Sequence, residues 1–433
     1  MRVLFIQLYS GDEVEPIYPL GLCYLATALP THETKIFDQN MCNDPFSETE
    51  KILSDFSPDV VGISIRNIRL HSKKKGYSLF QDQLKRTIRI IKQTNDKTII
   101  IAGGAAFSMF PIRFMKDEPE IDFGIFLEGE ESFSSLLENL ESPEKIKGIY
   151  WRNKDEILFT GGYPLPNFQT LSAPRRDLID LKRYKGMDAI GVQTKRGCLL
   201  KCSYCSYPFL SGNMLRLRPP EKVVDEIEHL VNSYGIREFT FVDNVFNIPL
   251  SHSERICQEI INRKIQVQWS AWFNERFMDE SFIDLAIKAG CGVFELSPDG
   301  YSNHSLEWLN KNIQTKHIIN TYRLLKKRPK VKVVYNFLIG IPGQNIPALL
   351  RQIVFFLKLK FQLRGQLKGI RLNSLWIEPK TILEKLAIEK GIISSETDLF
   401  NTTLYEVGIV RFIRRIKKLN SILRSIKKEM FYQ

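Results

Sequence analysis

Long apolar runs are missing from this sequence. No eighteen consecutive residues are apolar, so no membrane-spanning helix of ordinary length is expected. The opening Met1-Arg2-Val3-Leu4-Phe5-Ile6-Gln7 passes straight into a strand pattern without the apolar stretch and small-residue cleavage site of a leader. Cysteine is sparse: of seven, Cys23, Cys42, Cys257 and Cys291 are scattered, and they form no evenly spaced disulfide framework. A reducing cytoplasm is the expected setting. A general excess of positive charge is also missing. The formal charge is +12, but residues 409–433 alone hold eight Lys/Arg against one acid, Glu429. No nucleic-acid ligand is expected from so uneven a distribution.

At 433 residues the chain is long enough for two to three domains. Over 1–140, short continuous apolar runs alternate with helical patterns, the mark of an α/β domain with a doubly wound parallel sheet. Strands are expected at 3–8, 35–38, 59–65, 98–104 and 123–127, with a helix over 20–29. Ligands of such sheets lie beyond the carboxyl ends of the strands, and there stand Ser64 with Arg66 and Asn67, Gly103-Gly104 with Phe107, and Glu128-Gly129-Glu130. Paired glycines there allow close approach of a ligand, or make an ordinary turn. Residues 141–188, punctuated by Gly161-Gly162, Pro164, Pro166 and Pro174, read as a linker, with a small hairpin at 149–152 and 157–160.

Strand and helix alternate again over 189–392, with strands at 190–194, 238–244, 267–271, 293–299, 331–343 and 370–377, as in a partial (β/α)6 TIM-type barrel whose site lies at its carboxyl mouth. Trp269, Trp272, Tyr335, Asn336 and Trp376 are candidates to face a substrate, with core packing the ordinary alternative. Residues 393–433 form a basic helical tail with an apolar stripe. It is expected to dock on the barrel, with a peripheral membrane surface or an acidic partner as the other readings.

The remaining three cysteines stand together. In Lys-Arg-Gly-Cys-Leu-Leu-Lys-Cys-Ser-Tyr-Cys-Ser-Tyr-Pro, residues 195–208, Cys198, Cys202 and Cys205 have three and then two residues between them. Thiolates at this spacing converge on one metal centre, and sulfur selects zinc or an iron–sulfur cluster over hard cations. Zinc ordinarily takes a fourth ligand from a second Cys or His pair, and none stands nearby. Three thiolates favour a [4Fe–4S] cluster with one iron left open; three buried free cysteines are the plain alternative.

This loop resembles the CxxxCxxC motif of the radical S-adenosyl-L-methionine (SAM) superfamily, and it follows a strand-like Ile190-Gly191-Val192-Gln193-Thr194 as that motif does. The resemblance implies that Tyr204 lies beside the adenine. It places Asp243 and Asn244, in lieu of a Gly-Gly-Glu segment, at the methionyl amino group, and Glu295 and Ser297 near the ribose or methionyl carboxylate. Gly340-Ile341-Pro342-Gly343 looks like the family's Gly-x-Pro-Gly turn beside adenine, with Gln344 where an acid is usual.

Residues 1–140 resemble the cobalamin-binding, Rossmann-like domain found ahead of many radical SAM domains, on Pro19-Leu20-Gly21-Leu22-Cys23-Tyr24-Leu25-Ala26, Pro58-Asp59-Val60-Val61-Gly62-Ile63-Ser64 and Glu128-Gly129-Glu130. Ser64, Gly103, Gly104, Glu128 and Gly129 are the contacts this implies. The segment Tyr9 to Pro19 has no His where some cobalamin proteins carry Asp-x-His-x-x-Gly, and His32 reads as a turn residue. Cobalamin without a His lower ligand is therefore expected.

Together these resemblances imply a cobalamin-dependent radical SAM enzyme. It would cleave SAM reductively at the cluster to a 5′-deoxyadenosyl radical and methylate an unactivated carbon, or phosphorus, of a small-molecule, peptide or lipid substrate. A flavodoxin- or ferredoxin-type protein would be the reductant. Rearrangement or cyclisation without methyl transfer is the alternative within the family, and a non-catalytic iron–sulfur binding or electron-transfer protein the alternative of another class. tRNA methylthiolation fits worse, because the first domain lacks the extra cluster cysteines and no RNA-binding module is appended.

Overall fold

The computed structural model describes residues 1–11, 16–66, 76–186, 189–401 and 403–405; Asn67 and the stripe expected over 409–430 lie outside the described residues. Five strands, β1 (Arg2–Gln7), β2 (Glu33–Asp38), β3 (Val60–Ser64), β4 (Ile99–Gly103) and β5 (Phe123–Ile125), run parallel in the order β2-β1-β3-β4-β5. Their apolar runs are continuous because both faces are covered. Val3, Phe5 and Ile101 pack with Leu22, Ala26 and Phe133 of helices Leu20–Thr27 and Glu130–Glu138. Leu4, Ile6 and Ile100 pack on the other face with Leu53, Phe56, Leu84 and Ile88 of helices Pro45–Phe56 and Gly76–Thr94. The expected hairpin forms as β6 (Ile149–Asn153) and β7 (Glu156–Phe159), and β6 pairs antiparallel with β5. The stretch expected as a linker thus adds the last two strands to the first sheet.

The second sheet comprises β8 (Gly191–Val192), then, after a small antiparallel pair of β9 (Lys195–Arg196) and β10 (Arg216–Leu217), β11 (Glu238–Phe241), β12 (Gln268–Phe273), β13 (Cys291–Asp299), β14 (Lys332–Ile339) and β15 (Leu367–Ser374). Its six strands are parallel, in the order β8-β11-β12-β13-β14-β15, and β8 and β15 do not pair to close the ring. Alternation sorts the side chains. Phe241, Trp269, Phe273 and Phe294 belong to the core shared with helices 220–234, 250–262 and 280–288, and Tyr335 and Phe337 pack against Phe355 of helix 346–362. Thr240, Ser270, Trp272, Glu295, Ser297 and Asn336 consequently face the lumen. Of the substrate candidates, Trp269 is core, its ring N–H donating to the Ala289 carbonyl at 2.8 Å, and Tyr335 is core as well, whereas Trp272 and Asn336 reach the lumen.

The last strand begins three residues earlier than expected and stops at Ser374 rather than 377. Beyond it Trp376 bridges Leu404, the Ile377 N–H donates to the Thr403 carbonyl at 2.9 Å, and the Tyr405 N–H donates to the Leu375 carbonyl at 2.9 Å. An antiparallel partner from far along the chain takes those residues out of the parallel ladder. Among the described residues no helix is long and apolar enough to cross a membrane.

A buried triad ties the connector and first domain to the barrel. Glu226, on helix Pro220–Tyr234, accepts from Arg176 at 2.5 and 3.0 Å and from Arg218 at 2.5 Å; Arg176 also donates to the Gly191 carbonyl, and Arg218 to Tyr24 Oη at 3.2 Å. All three charged side chains are nearly inaccessible. Removing the carboxylate strands two buried guanidinium groups, so Glu226→Ala is expected to cost about 3–5 kcal/mol, read from the urea midpoint of the full chain.

Candidate active site

The cysteine loop leaves β9 through Gly197, whose φ is +91° and where a Cβ would lie 1.9 Å from the Met214 carbonyl oxygen. Only glycine fits that turn. Distant elements hold the loop in place. The Ser203 N–H donates to the Leu309 carbonyl at 2.9 Å and its hydroxyl to that of Trp308 at 2.9 Å, Asn310 Nδ2 donates to the Lys201 carbonyl at 2.8 Å, and the Leu383 N–H donates to the Ser203 carbonyl at 2.7 Å. Burial raises the pKa of all three thiols, Cys205 to about 12, and neighbouring thiols add to the effect at Cys202 and Cys205. Thiols gathered in this way become thiolates only with a cation among them. Among the described residues no three His, Cys, Asp or Glu side chains are gathered as ligands of one ion. Three free cysteines on one loop are the donor set of a [4Fe–4S] cluster, which takes one thiolate per iron.

Tyr204 is fixed from behind. Its hydroxyl donates to Asp299 Oδ2, and Lys311 Nζ donates to both, at 2.5 Å to Asp299 and 3.2 Å to Tyr204. Asp299, at φ +63°, ends β13. Burial alone would lower the Lys311 pKa, but Asp299 and Tyr204 outweigh it and hold the ammonium charged. The residues expected around SAM fall into two groups. Glu295 and Ser297 are half-buried in the lumen, and Glu295 accepts from Arg371 at 3.2 Å. Asp243, expected at the methionyl amino group, is instead 3% exposed. It accepts from the Thr194 N–H at 2.8 Å, the Thr194 hydroxyl at 2.5 Å and the Lys195 N–H at 3.2 Å, so its carboxylate anchors the approach to the cysteine loop. Asn244 Nδ2 approaches the Gly197 carbonyl at 3.5 Å. Gly340, at φ +82°, and the buried Pro342 form the expected turn; Gln344, in the acid's place, accepts from the Gly340 N–H at 3.0 Å, and the turn packs against His304 and Trp308 beside Gly343.

At the carboxyl ends of the first sheet lies a cavity of about 180 Å³. Ser64, Gly103, Gly104, Glu128 and Gly129 all line it, with Gly21, Leu25, Gly62, Phe133 and, from the barrel side, Arg196. Gly104 has φ +99°, and a Cβ there would lie 2.7 Å from the Ile65 carbonyl oxygen; a Cβ on Gly21 would meet nothing within 4 Å and project into open space. An apolar cradle with glycine at its walls fits a bulky planar cofactor. Among the described residues no histidine lines it, and His32 stands just before β2, at the opposite end of the strands. Phe107 is core, its ring filling the space over Gly124.

The two sites meet at the cavity rim. Arg196 donates to Glu128 at 2.7 Å and Glu130 at 2.6 Å, Arg216 donates to both oxygens of Glu128, and the Arg196 guanidinium lies 4.8 Å from the Phe168 ring centroid. Burial alone would raise the Glu128 carboxyl, but the hydrogen bond from Arg216 and the charge of Arg196 hold its pKa below the usual range.

Residues 192–351 match the Radical SAM superfamily and residues 14–137 the B12 binding domain. The chain is a radical SAM protein with a B12-binding domain. Its cofactors are a [4Fe–4S] cluster, SAM and cobalamin. It is 27% identical over 348 residues to an uncharacterized methyltransferase of Pyrococcus horikoshii, covering 79% of this chain and 73% of that one. It is 25% identical to the cytidylyl-2-hydroxyethylphosphonate methyltransferase of Streptomyces wedmorensis, covering 77% of this chain and 71% of that one. The fold is shared with the radical SAM methyltransferase TsrM of Kitasatospora setae, solved with cobalamin and a [4Fe–4S] cluster bound, at TM-score 0.78 and 20% identity over 91% of this chain and 79% of that one.

The sequence alone did not single out Lys311, Asp299, Arg196, Arg216 or Glu275. Arg196 sits beside Gly197 in the motif itself, a signal available to reading, whereas the partners of the others come from remote segments. Glu275 follows β12, is wholly buried with neither carboxylate oxygen hydrogen-bonded among the described residues, and is pushed up to about 7 by burial despite the charge of Lys311.

Two outcomes follow from this geometry. Gly21→Leu places a side chain in the cavity, so cobalamin retained after anaerobic reconstitution, measured by its absorption spectrum, is expected to fall at least tenfold while the iron content stays unchanged. Because the folded state holds the Glu275 proton more tightly than the usual 4.5, this group's contribution to stability is present below that pH and lost as pH rises to about 7, at about 1.4 kcal/mol per pH unit. Glu275→Gln is expected to flatten that loss in urea unfolding across the same range; parallel curves for the two proteins would count against the assignment.

Proposed function

We propose that this protein transfers a methyl group to an unactivated carbon, or to phosphorus, of a small-molecule, peptide or lipid acceptor bound in the barrel lumen. One observation carries the reading: Arg196 belongs to both sites, lining the strand-end cavity while directly preceding Gly197 and Cys198. The cofactor of the first domain and the cysteine loop therefore share one wall. When bound, the cluster and SAM supply one-electron cleavage to a 5′-deoxyadenosyl radical, and cobalamin supplies the methyl group. The chain's own residues do the positioning. Cys198, Cys202 and Cys205 hold the cluster, while Tyr204, Asp299 and Lys311 keep their loop against the barrel. Glu128, Glu130 and Arg196 fix the cavity rim against that loop. Thr240, Ser270, Trp272 and Asn336 line the lumen in which an acceptor is oriented and water excluded. Electrons come from a flavodoxin- or ferredoxin-type protein, in a cytoplasmic setting.

That both relatives named above are methyltransferases supports methyl transfer over rearrangement or cyclisation. With the protein reconstituted anaerobically, dithionite-dependent consumption of SAM is expected, and Cys202→Ala is expected to reduce it to background. A Cys202→Ala protein that still consumed SAM under dithionite would overturn the reading.

A further inference from the structure

The arginines that join the two domains are heavily engaged, although Arg176 Nη1 and Arg218 Nε find no partner among the described residues. Arg176, Arg196, Arg216 and Arg218 each make at least three hydrogen bonds, to carboxylates, carbonyls, Tyr24 or a Gln side chain. Arg371 differs. It stands on β15 opposite Asn336 in register, which puts it on the lumen face, and its side chain is 55% exposed. Its one hydrogen bond among the described residues is a single contact of 3.2 Å from Nη1 to Glu295. A guanidinium carries five N–H donors, so four are uncommitted.

The surroundings indicate what those donors take. β15 is the last strand of a sheet that does not close, so Arg371 stands at the open side of the barrel. The register neighbours on the lumen face are uncharged, Asn336 among the polar ones and Val334 and Gly369 among the apolar ones, and Glu295, spanning β14 to reach it, steadies the guanidinium through one nitrogen only. A planar fork with free donors in a concave, partly apolar site matches a carboxylate or phosphate in two-point contact. We propose that Arg371 recognises the methyl acceptor, which carries a carboxylate or phosphate group held by this guanidinium at the open side of the barrel. This rests on the function proposed above and adds the charge class of its substrate. Glu295 sets the direction of the fork, and the neutral lumen beyond it receives the rest of the acceptor.

The test uses the reconstituted full chain and the rate at which phenylglyoxal modifies Arg371, followed by mass spectrometry of the peptide that contains it. Small molecules from a cell extract are divided on an anion exchanger into retained and unretained pools. Arg371 is expected to react, to react at least tenfold more slowly with the retained pool present, and to be unaffected by saturating SAM or the unretained pool. Treating the retained pool with phosphatase separates the sources: protection lost after treatment assigns a phosphate, protection kept a carboxylate, and either supports the proposal. An unreactive Arg371, protection by SAM, which has a carboxylate of its own, or protection by the unretained pool or by neither pool overturns it. With methyl-labelled SAM, Arg371→Gln is expected to raise the amount of retained pool needed for half-maximal labelling at least tenfold, and Arg371→Lys less; an unchanged requirement in Arg371→Gln also overturns it. SAM consumption in the same preparation reports on the underlying function separately. Its absence removes both readings, whereas its presence with a contrary Arg371 pattern removes only this one.

Discussion

The arrangement of this molecule turns on one guanidinium. Arg196 pairs with Glu128 and Glu130 across the boundary between two α/β units, 11% exposed at its side chain. Burying these charges costs several kcal/mol per ion, and their attraction repays it only where every donor finds a partner. Here each nitrogen of Arg196 has one: the Nε donates to Gln193 at 3.1 Å, both terminal nitrogens donate to carboxylates, and Arg216 also donates to Glu128. Such a network adds little net stability but admits one geometry, since sliding the domains by the length of a hydrogen bond would leave buried charges unpaired. What it fixes is the placement of the strand ends of the first sheet against the loop that begins at Gly197.

That loop needs an external frame, because it contains little regular structure of its own and Leu199 is half exposed. Its frame is assembled from far along the chain: Asp243 grips Thr194 and Lys195 just ahead of it, residues 308–310 hold its middle, and Asp299 with Lys311 holds Tyr204. Phe209, on the short helix after the cysteines, lies 5.9 Å from Phe126 of the first domain. The loop is therefore pinned from both units at once. Displacements of about 1 Å at a reacting centre are costly, and pinning from two sides limits them.

Much of this was legible from the order of residues. Continuous apolar runs marked the parallel strands of the first sheet because each must satisfy two covered faces, and the polar or glycine residues that end those runs at Ser64, Gly103 and Glu128 do line one cavity. The failures share a cause. An acidic residue at the end of a barrel strand can turn toward the mouth or back into the scaffold, and what turned Asp243 inward is a pair of N–H groups 48 and 49 residues away in sequence. Trp269 and Trp272 both read as mouth residues, yet they lie on opposite faces of one strand. Trp376 left its expected strand for Leu404, a pairing that no local pattern carries.

The two binding regions differ in chemistry as well as position. The cavity of the first domain is walled by Leu25, Ile101, Ile125 and Phe133, with charge only at its rim, where Glu128, Glu130 and Arg196 neutralise one another. It selects its occupant by shape and dispersion. The barrel lumen is lined by hydroxyls, an amide, an indole and one loosely held ion pair, and selects by hydrogen bonding and charge. A polar site that must bind its ligand specifically keeps donors in reserve, because donors already satisfied within the protein give nothing to binding. The same logic that gives each nitrogen of Arg196 a partner, where geometry must not vary, leaves most donors of Arg371 open, where a ligand must complete the site.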